Sequence, residues 1–288
     1  MSCTVAQFIE LAETNFSPPA PEQYEYVAMN TEQTTGTSAL ASETALSISY
    51  NGISYAVMMV TPGNLEDFVK GFSLSSGIVE SVSAIHDVQL SVNQESHHAA
   101  VEITNRAFWS LKTQRRQLAG TSGCGICGVE ALEQALPTLT PLPQVTPPCP
   151  TLFDGLRERI QQAQVLARYS GALHAALYVN EAGNVALCRE DIGRHNALDK
   201  LIGAIIGAKI DPQRGFVVMT SRCSLELINK AVRTRIATLV TLSAPTALTV
   251  QWARRHHLNL IHLPKEGAPR LYSPAQMNSN IVNLYSSL

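Results

Sequence analysis

The chain has 288 residues, enough to bury one large core or two modest ones, and its 45% hydrophobic and 15% charged shares describe an ordinary globular protein. A formal net charge of -2 gives no support to a general nucleic-acid or membrane-surface role, and no apolar run approaches a membrane-spanning length. The N-terminus lacks the basic-then-apolar layout of a secretory signal, so the cytoplasm is the expected compartment.

Residues 1–42 are rich in Thr, Ser, Glu and Pro and read as a flexible leader. An N-terminal α+β lobe is expected over 43–136. Its first element is an alternating run from Thr44 to Tyr50, then Asn51-Gly52, then a second run from Ile53 to Val60. Asn-Gly between two such runs is a strong hairpin signal. Thr61-Pro62 supplies an N-cap and a first-turn proline for a helix carrying Leu65, Phe68, Val69 and Phe72 at helical spacing. Strand-like stretches at about 85–92 and 98–104 precede a mixed basic segment reaching Ala119.

Then comes Gly123-Cys124-Gly125-Ile126-Cys127-Gly128. Glycines around the two thiols leave the backbone free to bend and the sulfurs uncrowded. Lys112, Arg115 and Arg116 lie upstream, and positive charge favours the thiolate, the form that attacks. Val129 to Leu136 reads as a helix, whose N-terminal dipole would lower a nearby thiol pKa further. In the cytoplasm such a pair is more often metal-binding or catalytic than a structural staple. A structural zinc site needs four ligands, usually from two close pairs, and this chain offers one pair. His97-His98 and His256-His257 are sequence neighbours whose side chains point apart, so no metal site is assigned. A thioredoxin-type site wants a βαβ setting, whereas the strands before this pair read as hairpins.

Pro137 to Pro150 contains six prolines and reads as a linker over 137–150. Beyond it, over 151–288, strands alternate with helices. The helices fall near 151–168, 194–208, 223–234 and 246–257, and the strands near 173–180, 184–189, 216–220, 237–242 and 258–263. That alternation predicts an α/β lobe with a partly parallel sheet covered on both faces.

Three polar clusters stand in this lobe. The first runs from Arg189 to Lys200 at a strand–helix junction, where α/β folds place ligands. Asp191, Arg194 and His195 are its candidate ligand residues, although capping by Asp191 and helix ion pairs for Asp199 and Lys200 account for part of it. The second is Thr220 to Ser224, in which Ser221, Arg222 and helix-start amides form a candidate anion site, against an ordinary capped turn. The third is Pro264 to Arg270, where Lys265, Gly267 and Arg270 suit a phosphate-bearing ligand and a plain surface loop is the alternative. His174 begins a strand and can reach the same crevice, or serve as a hydrogen-bonded structural residue. Neither a GxxxxGK[ST] loop nor a strand-linked GxGxxG turn is present, and no His-x-Glu with Pro-Cys-x-x-Cys supports a deaminase.

From about Ser42 to Tyr272 the chain resembles the formate dehydrogenase accessory sulfurtransferase family. The resemblance rests on Asn51-Gly52-Ile53-Ser54, Met58-Met59, Gly71 to Ser75, the Gly123 to Gly128 motif, Glu190 to Lys200 and Thr220-Ser221-Arg222, in that order. It implies a cytidine-deaminase-like three-layer α/β/α lobe with a smaller α+β N-terminal lobe. It also implies transfer of sulfur from a cysteine desulfurase, as a cysteine persulfide, to Mo-bis(molybdopterin guanine dinucleotide), the bound substrate, which makes formate dehydrogenase active. GDP is the expected surrogate ligand and a homodimer the expected assembly. The family's persulfide cysteine falls on Cys124, with Cys127 assisting, and its cofactor stretch on Leu263, Pro264, Lys265, Glu266, Gly267 and Ala268. The chain departs from the family pattern at Ser76, Leu173, Glu266 and Ala268. The other reading is a non-catalytic molybdenum-cofactor chaperone that uses the cysteines as anchors.

Overall fold

Asn51 and Gly52 adopt φ of 46° and 78°, the left-handed pair a two-residue hairpin turn requires, and join β3 (Thr44–Tyr50) to β4 (Ile53–Val60). The computed structural model describes residues 22–29, 33–93, 96–120 and 137–273; Cys124, Cys127 and the helix expected over 129–136 lie outside them. Earlier in the chain, β1 (Glu22–Val27) and β2 (Thr35–Leu40) pair as an antiparallel ribbon within the stretch read as a leader. Every β1 residue is exposed, so no buried face marks the ribbon in the sequence.

Strands β5 (Ile85–Asn93) and β6 (Ser96–Ile103) complete a four-stranded sheet of order β4-β3-β6-β5, in which β3 and β6 run parallel. Helix α1 (Leu65–Ser75) packs Phe68 and Val69 against Leu46, Ile48, Tyr50 and Val101 of this sheet. Each fully buried side chain of this kind contributes roughly 1.5–3 kcal/mol. The helix starts after Asn64, not at Thr61-Pro62. Thr61 is instead buried, because its backbone and hydroxyl are engaged by the second lobe. The mixed basic segment is a helix, α2 (Asn105–Gly120), which buries Leu111 in the same core.

Residues 137–150 hold no regular element until a 3₁₀ turn at Pro150–Phe153. Rather than hanging free, they run along the second lobe: Leu142 is buried in its core, its N–H donates to the His256 carbonyl, and Asn259 donates to the Val145 carbonyl. The helix expected over 151–168 is broken into that turn, α3 (Leu156–Ala163) and the single turn α4 (Ala167–Ser170). Gly155, at φ 64°, separates the first two.

The second lobe continues through β7 (His174–Val179), β8 (Val185–Asp191), α5 (Arg194–Gly207), β9 (Phe216–Met219) and α6 (Leu225–Arg233). It ends with β10 (Thr238–Thr241), α7 (Ala247–Arg255), β11 (Asn259–His262) and β12 (Arg270–Ser273). The last strand carried no sequence expectation. Sheet order is β12-β11-β10-β9-β7-β8, with β9, β10 and β11 parallel and the flanking strands antiparallel. Leu198, Leu201, Leu227 and Trp252 from α5, α6 and α7 cover one face; Phe153, Leu156 and Ile160 cover the other. The result is a three-layer α/β/α lobe beside an α+β lobe.

Two glycines let the lobes meet at backbone distance. A Cβ on Gly71 of α1 would lie 1.8 Å from the Asp199 carbonyl, and one on Gly203 of α5 would lie 1.9 Å from that of Asp67. Neither position has room for a methyl group.

Candidate functional site at the sheet edge

Topology gathers the polar clusters along one edge. Parallel strands β9, β10 and β11 end there, leading into Thr220–Ser224, the turn after Thr241 and the Leu263–Ala268 loop. Because β7 and β12 run the other way, His174 and Arg270 start at this edge, and because β8 runs with the parallel strands, Asp191 ends at it. Helices α5, α6 and α7 also begin here, and their N-termini favour negative charge.

The charge-dense run from Arg189 to Lys200 divides into an inward and an outward set. Arg189 pairs with Asp67 of the first lobe at 2.8 Å. Glu190 accepts from the Leu166 and Ala167 N–H groups and so caps α4. Asp191 is fully buried, pairs with Lys200 at 2.7 Å, and accepts from the Thr61 and Gly193 N–H groups and the Asn196 amide. Asp199 is also sealed, pairing with Lys230 at 2.8 Å and accepting from Ser75 at 2.5 Å. Burial still pushes the Asp199 carboxyl above its ordinary value, against the opposing pull of Lys230. Asp191 therefore joins the lobes and stands behind the site rather than on its surface.

Arg194 and His195 form the outward set. His195 Nε2 lies 3.2 Å from Ser224 Oγ and 3.1 Å from a Glu226 carboxylate oxygen, which orients the ring. Ser224 in turn caps α6 by accepting from Leu227 N–H. Burial holds His195 below its ordinary pKa, opposed by Glu226 and aided by Arg194. His174 is half-buried, and its pKa is lowered by burial and then by the Arg194 charge, so both rings are neutral near pH 7. The buried Arg194 Nε has no hydrogen-bond partner.

In the second cluster Ser221 turns inward and bonds the Arg222 carbonyl, while the Arg222 side chain is exposed. Burial pushes the Cys223 thiol up to about 12, so this cysteine packs and does not attack. In the third cluster Leu263 is buried and Pro264 half-buried, whereas Lys265, Glu266, Gly267 and Ala268 are exposed. Arg157 of α3 braces the start of this loop by donating to the Leu263 and Pro264 carbonyls. His262, directly before the loop, is buried with an unpartnered Nδ1. Burial and the charges of Arg270 and Arg157 lower its pKa. Sequence reasoning passed over Arg157 and His262. A histidine ending a strand beside a candidate loop was a signal for the second; no local signal marks the first.

The structure thus brings His174, Arg194, His195 and Arg222 to the same sheet edge as the Leu263–Ala268 loop, and puts Asp191 and Ser221 inside. Among the described residues, no group of three or more His, Cys, Asp or Glu side chains is arranged to hold a metal ion, and no helix is long and apolar enough to cross a membrane. Cys124 and Cys127 lie outside the described residues.

Residues 41–278 match the model of the FdhD/NarQ family. The chain is 40% identical over 237 residues to a protein of Cupriavidus necator named sulfur carrier protein FdhD, spanning 82% of each chain. A protein of the same name from Xanthomonas euvesicatoria pv. vesicatoria is 42% identical over 241 residues, 82% of this chain and 84% of that one. A crystal structure of a formate dehydrogenase accessory protein from Desulfotalea psychrophila superposes with a TM-score of 0.69 at 20% identity, over 88% of this chain and 97% of that one. The fold is that of this accessory protein, and the chain belongs to the FdhD/NarQ family.

Proposed function

We propose that this chain is a cytoplasmic sulfurtransferase in which Cys124 carries a persulfide. It takes sulfur from a cysteine desulfurase and passes it to Mo-bis(molybdopterin guanine dinucleotide), held as substrate, so that formate dehydrogenase becomes active; the working assembly is a homodimer. Cys127 assists or resolves. The observation that carries the reading is the Gly-Cys-Gly-Ile-Cys-Gly motif inside a chain about 40% identical, over most of its length, to proteins named sulfur carriers.

The sheet edge supports the substrate assignment. Arg222, Lys265 and Arg270 are exposed cations, three helix N-termini begin there, and buried Arg194 Nε and His262 Nδ1 lack partners. Those groups suit the phosphates and ring edges of a guanine nucleotide. Glu266 in the loop and Glu226 beside His195 are anions at the same edge.

Loading is a displacement without net oxidation. The Cys124 thiolate attacks the outer sulfur of the donor's persulfide, a new S–S bond forms on Cys124, and the donor cysteine leaves as thiolate. Incubation with a cysteine desulfurase and cysteine, followed by mass spectrometry, is expected to show one reducible sulfur added at Cys124. Cys124→Ala is expected to lose that increment and the activation of formate dehydrogenase while keeping GDP affinity. Loss of GDP affinity in this variant would favour the chaperone reading, and full activation would refute the sulfurtransferase.

A further inference from the structure

Helix α2 is the strongest local charge imbalance in the chain. Its sixteen residues include Arg106, Lys112, Arg115 and Arg116 and no Asp or Glu, in a protein whose formal net charge is -2. Leu111 anchors one side in the first-lobe core, with Ala107 and Phe108 packed beside it. On the other side Arg106, Trp109, Ser110 and Thr113 are exposed, at the spacing of a single helix face. Trp109 is 60% exposed, more than an indole normally shows without a partner. Lys112 Nζ sits 4.4 Å from the Phe108 ring centroid and 4.9 Å from that of Trp109, so the cation and the indole are held together. Arg106 has one weak, exposed neighbour, Glu80 at 3.9 Å, which is easily exchanged for another carboxylate.

The helix ends at Gly120, four residues before Cys124. The face therefore belongs to the segment of chain that leads directly into the cysteine motif. Resting on the sulfurtransferase reading above, we propose that the outward face of α2, with Arg106, Trp109 and Lys112, is the docking surface for an acidic protein that donates persulfide sulfur. Exposed Trp and Arg are the residue types that dominate binding energy at interfaces, and the cation excess selects an acidic partner and steers its approach. A small donor such as inorganic polysulfide needs no such surface.

That difference supplies the test. Wild type, Trp109→Ala and Lys112→Glu are loaded in parallel with a cysteine desulfurase plus cysteine, or with polysulfide alone, and the sulfur on Cys124 is followed by mass spectrometry. The inference expects loading by the desulfurase to slow roughly tenfold in each variant, with polysulfide loading unchanged. Added salt should slow the wild type's reaction with the desulfurase and slow Lys112→Glu less. Equal loading of all three proteins by the desulfurase would place docking elsewhere. A parallel loss with polysulfide would mean that the helix serves the cysteine loop itself. A changed sedimentation coefficient in the variants, or wild-type binding to a labelled oligonucleotide that the variants lose, would assign the face to a second copy or a nucleic acid and overturn the proposal. Failure of the wild type to load from either source would instead overturn the sulfurtransferase reading.

Discussion

Two charge-rich regions of the second lobe behave in opposite ways. Behind the sheet edge, Asp191–Lys200 and Asp199–Lys230 are sealed ion pairs with further hydrogen bonds to Thr61, Ser75 and Asn196. At the edge, Arg222, Lys265 and Arg270 are exposed, and buried nitrogens of Arg194 and His262 are unpartnered. Charge density alone does not distinguish scaffold from site. Satisfaction does: a fully engaged polar group fixes the structure, and an unpaired one marks where something else can bind.

The largest effects should come from breaking the sealed region. Asp199→Ala leaves Lys230 as an uncompensated buried charge and is expected to cost about 3–5 kcal/mol, read as a fall in denaturation midpoint. Gly203→Val is expected to be comparably damaging, because its Cβ falls 1.9 Å from the Asp67 carbonyl and the lobes must separate to admit it. If either variant melted like wild type, the lobe contact would not contribute to stability as described.

Asp191→Ala sharpens the contrast within the cluster read from the sequence. It leaves Lys200 unpaired, so stability should drop by a similar amount, about 3–5 kcal/mol. GDP affinity of the folded fraction, measured by calorimetry well below the melting range, should change little. A selective loss of affinity at intact stability would return Asp191 to the ligand site.

Edge substitutions should do the reverse. Arg222→Ala and Lys265→Ala are expected to alter stability by no more than about 0.5 kcal/mol. Each removes a charged donor from the proposed anion site, so GDP affinity should fall about tenfold or more. Unchanged GDP affinity in both would remove the edge from consideration as the nucleotide site.

The smallest effect concerns His262, whose pKa is lowered by burial and then by Arg270. A base with a depressed folded pKa binds fewer protons than in the unfolded chain, so stability is fully present above its ordinary value of 6.5 and declines as pH falls below it. His262→Gln should flatten the dependence of melting temperature on pH between about pH 7 and pH 5. Part of the slope will remain, because His174 and His195 are shifted in the same direction. An unchanged slope would mean that His262 is not held neutral by its surroundings.

Most of the second lobe was legible because its signals are local. Short Val- and Leu-rich runs such as 216–219 and 238–241 alternate with amphipathic stretches, and that pattern holds for any βα repeat buried on both faces. Thr61-Pro62 misled because a good N-cap sequence was recruited by a partner 130 residues away, where its N–H meets Asp191. The basic segment after Thr104 was not read as a helix because its few apolar anchors, Ala107, Phe108 and Leu111, are outnumbered by polar residues. The ribbon β1–β2 is largely exposed, so burial left no alternation to find, and the last strand, β12, is only four residues long.

By itself the sequence determined the closely spaced, glycine-flanked cysteine pair, the α/β alternation and the polar clusters at strand–helix junctions, since each depends on residues within a turn or a strand of one another. Only the tertiary structure decided that Glu190, Asp191 and Asp199 face inward while Arg194 and His195 face outward. It also decided that loops more than 40 residues apart share one sheet edge, and that Gly71 meets α5 at backbone distance. Those outcomes turn on strand order and on pairing between distant segments, where the desolvation cost of each charge is met or left standing, and no local pattern encodes that.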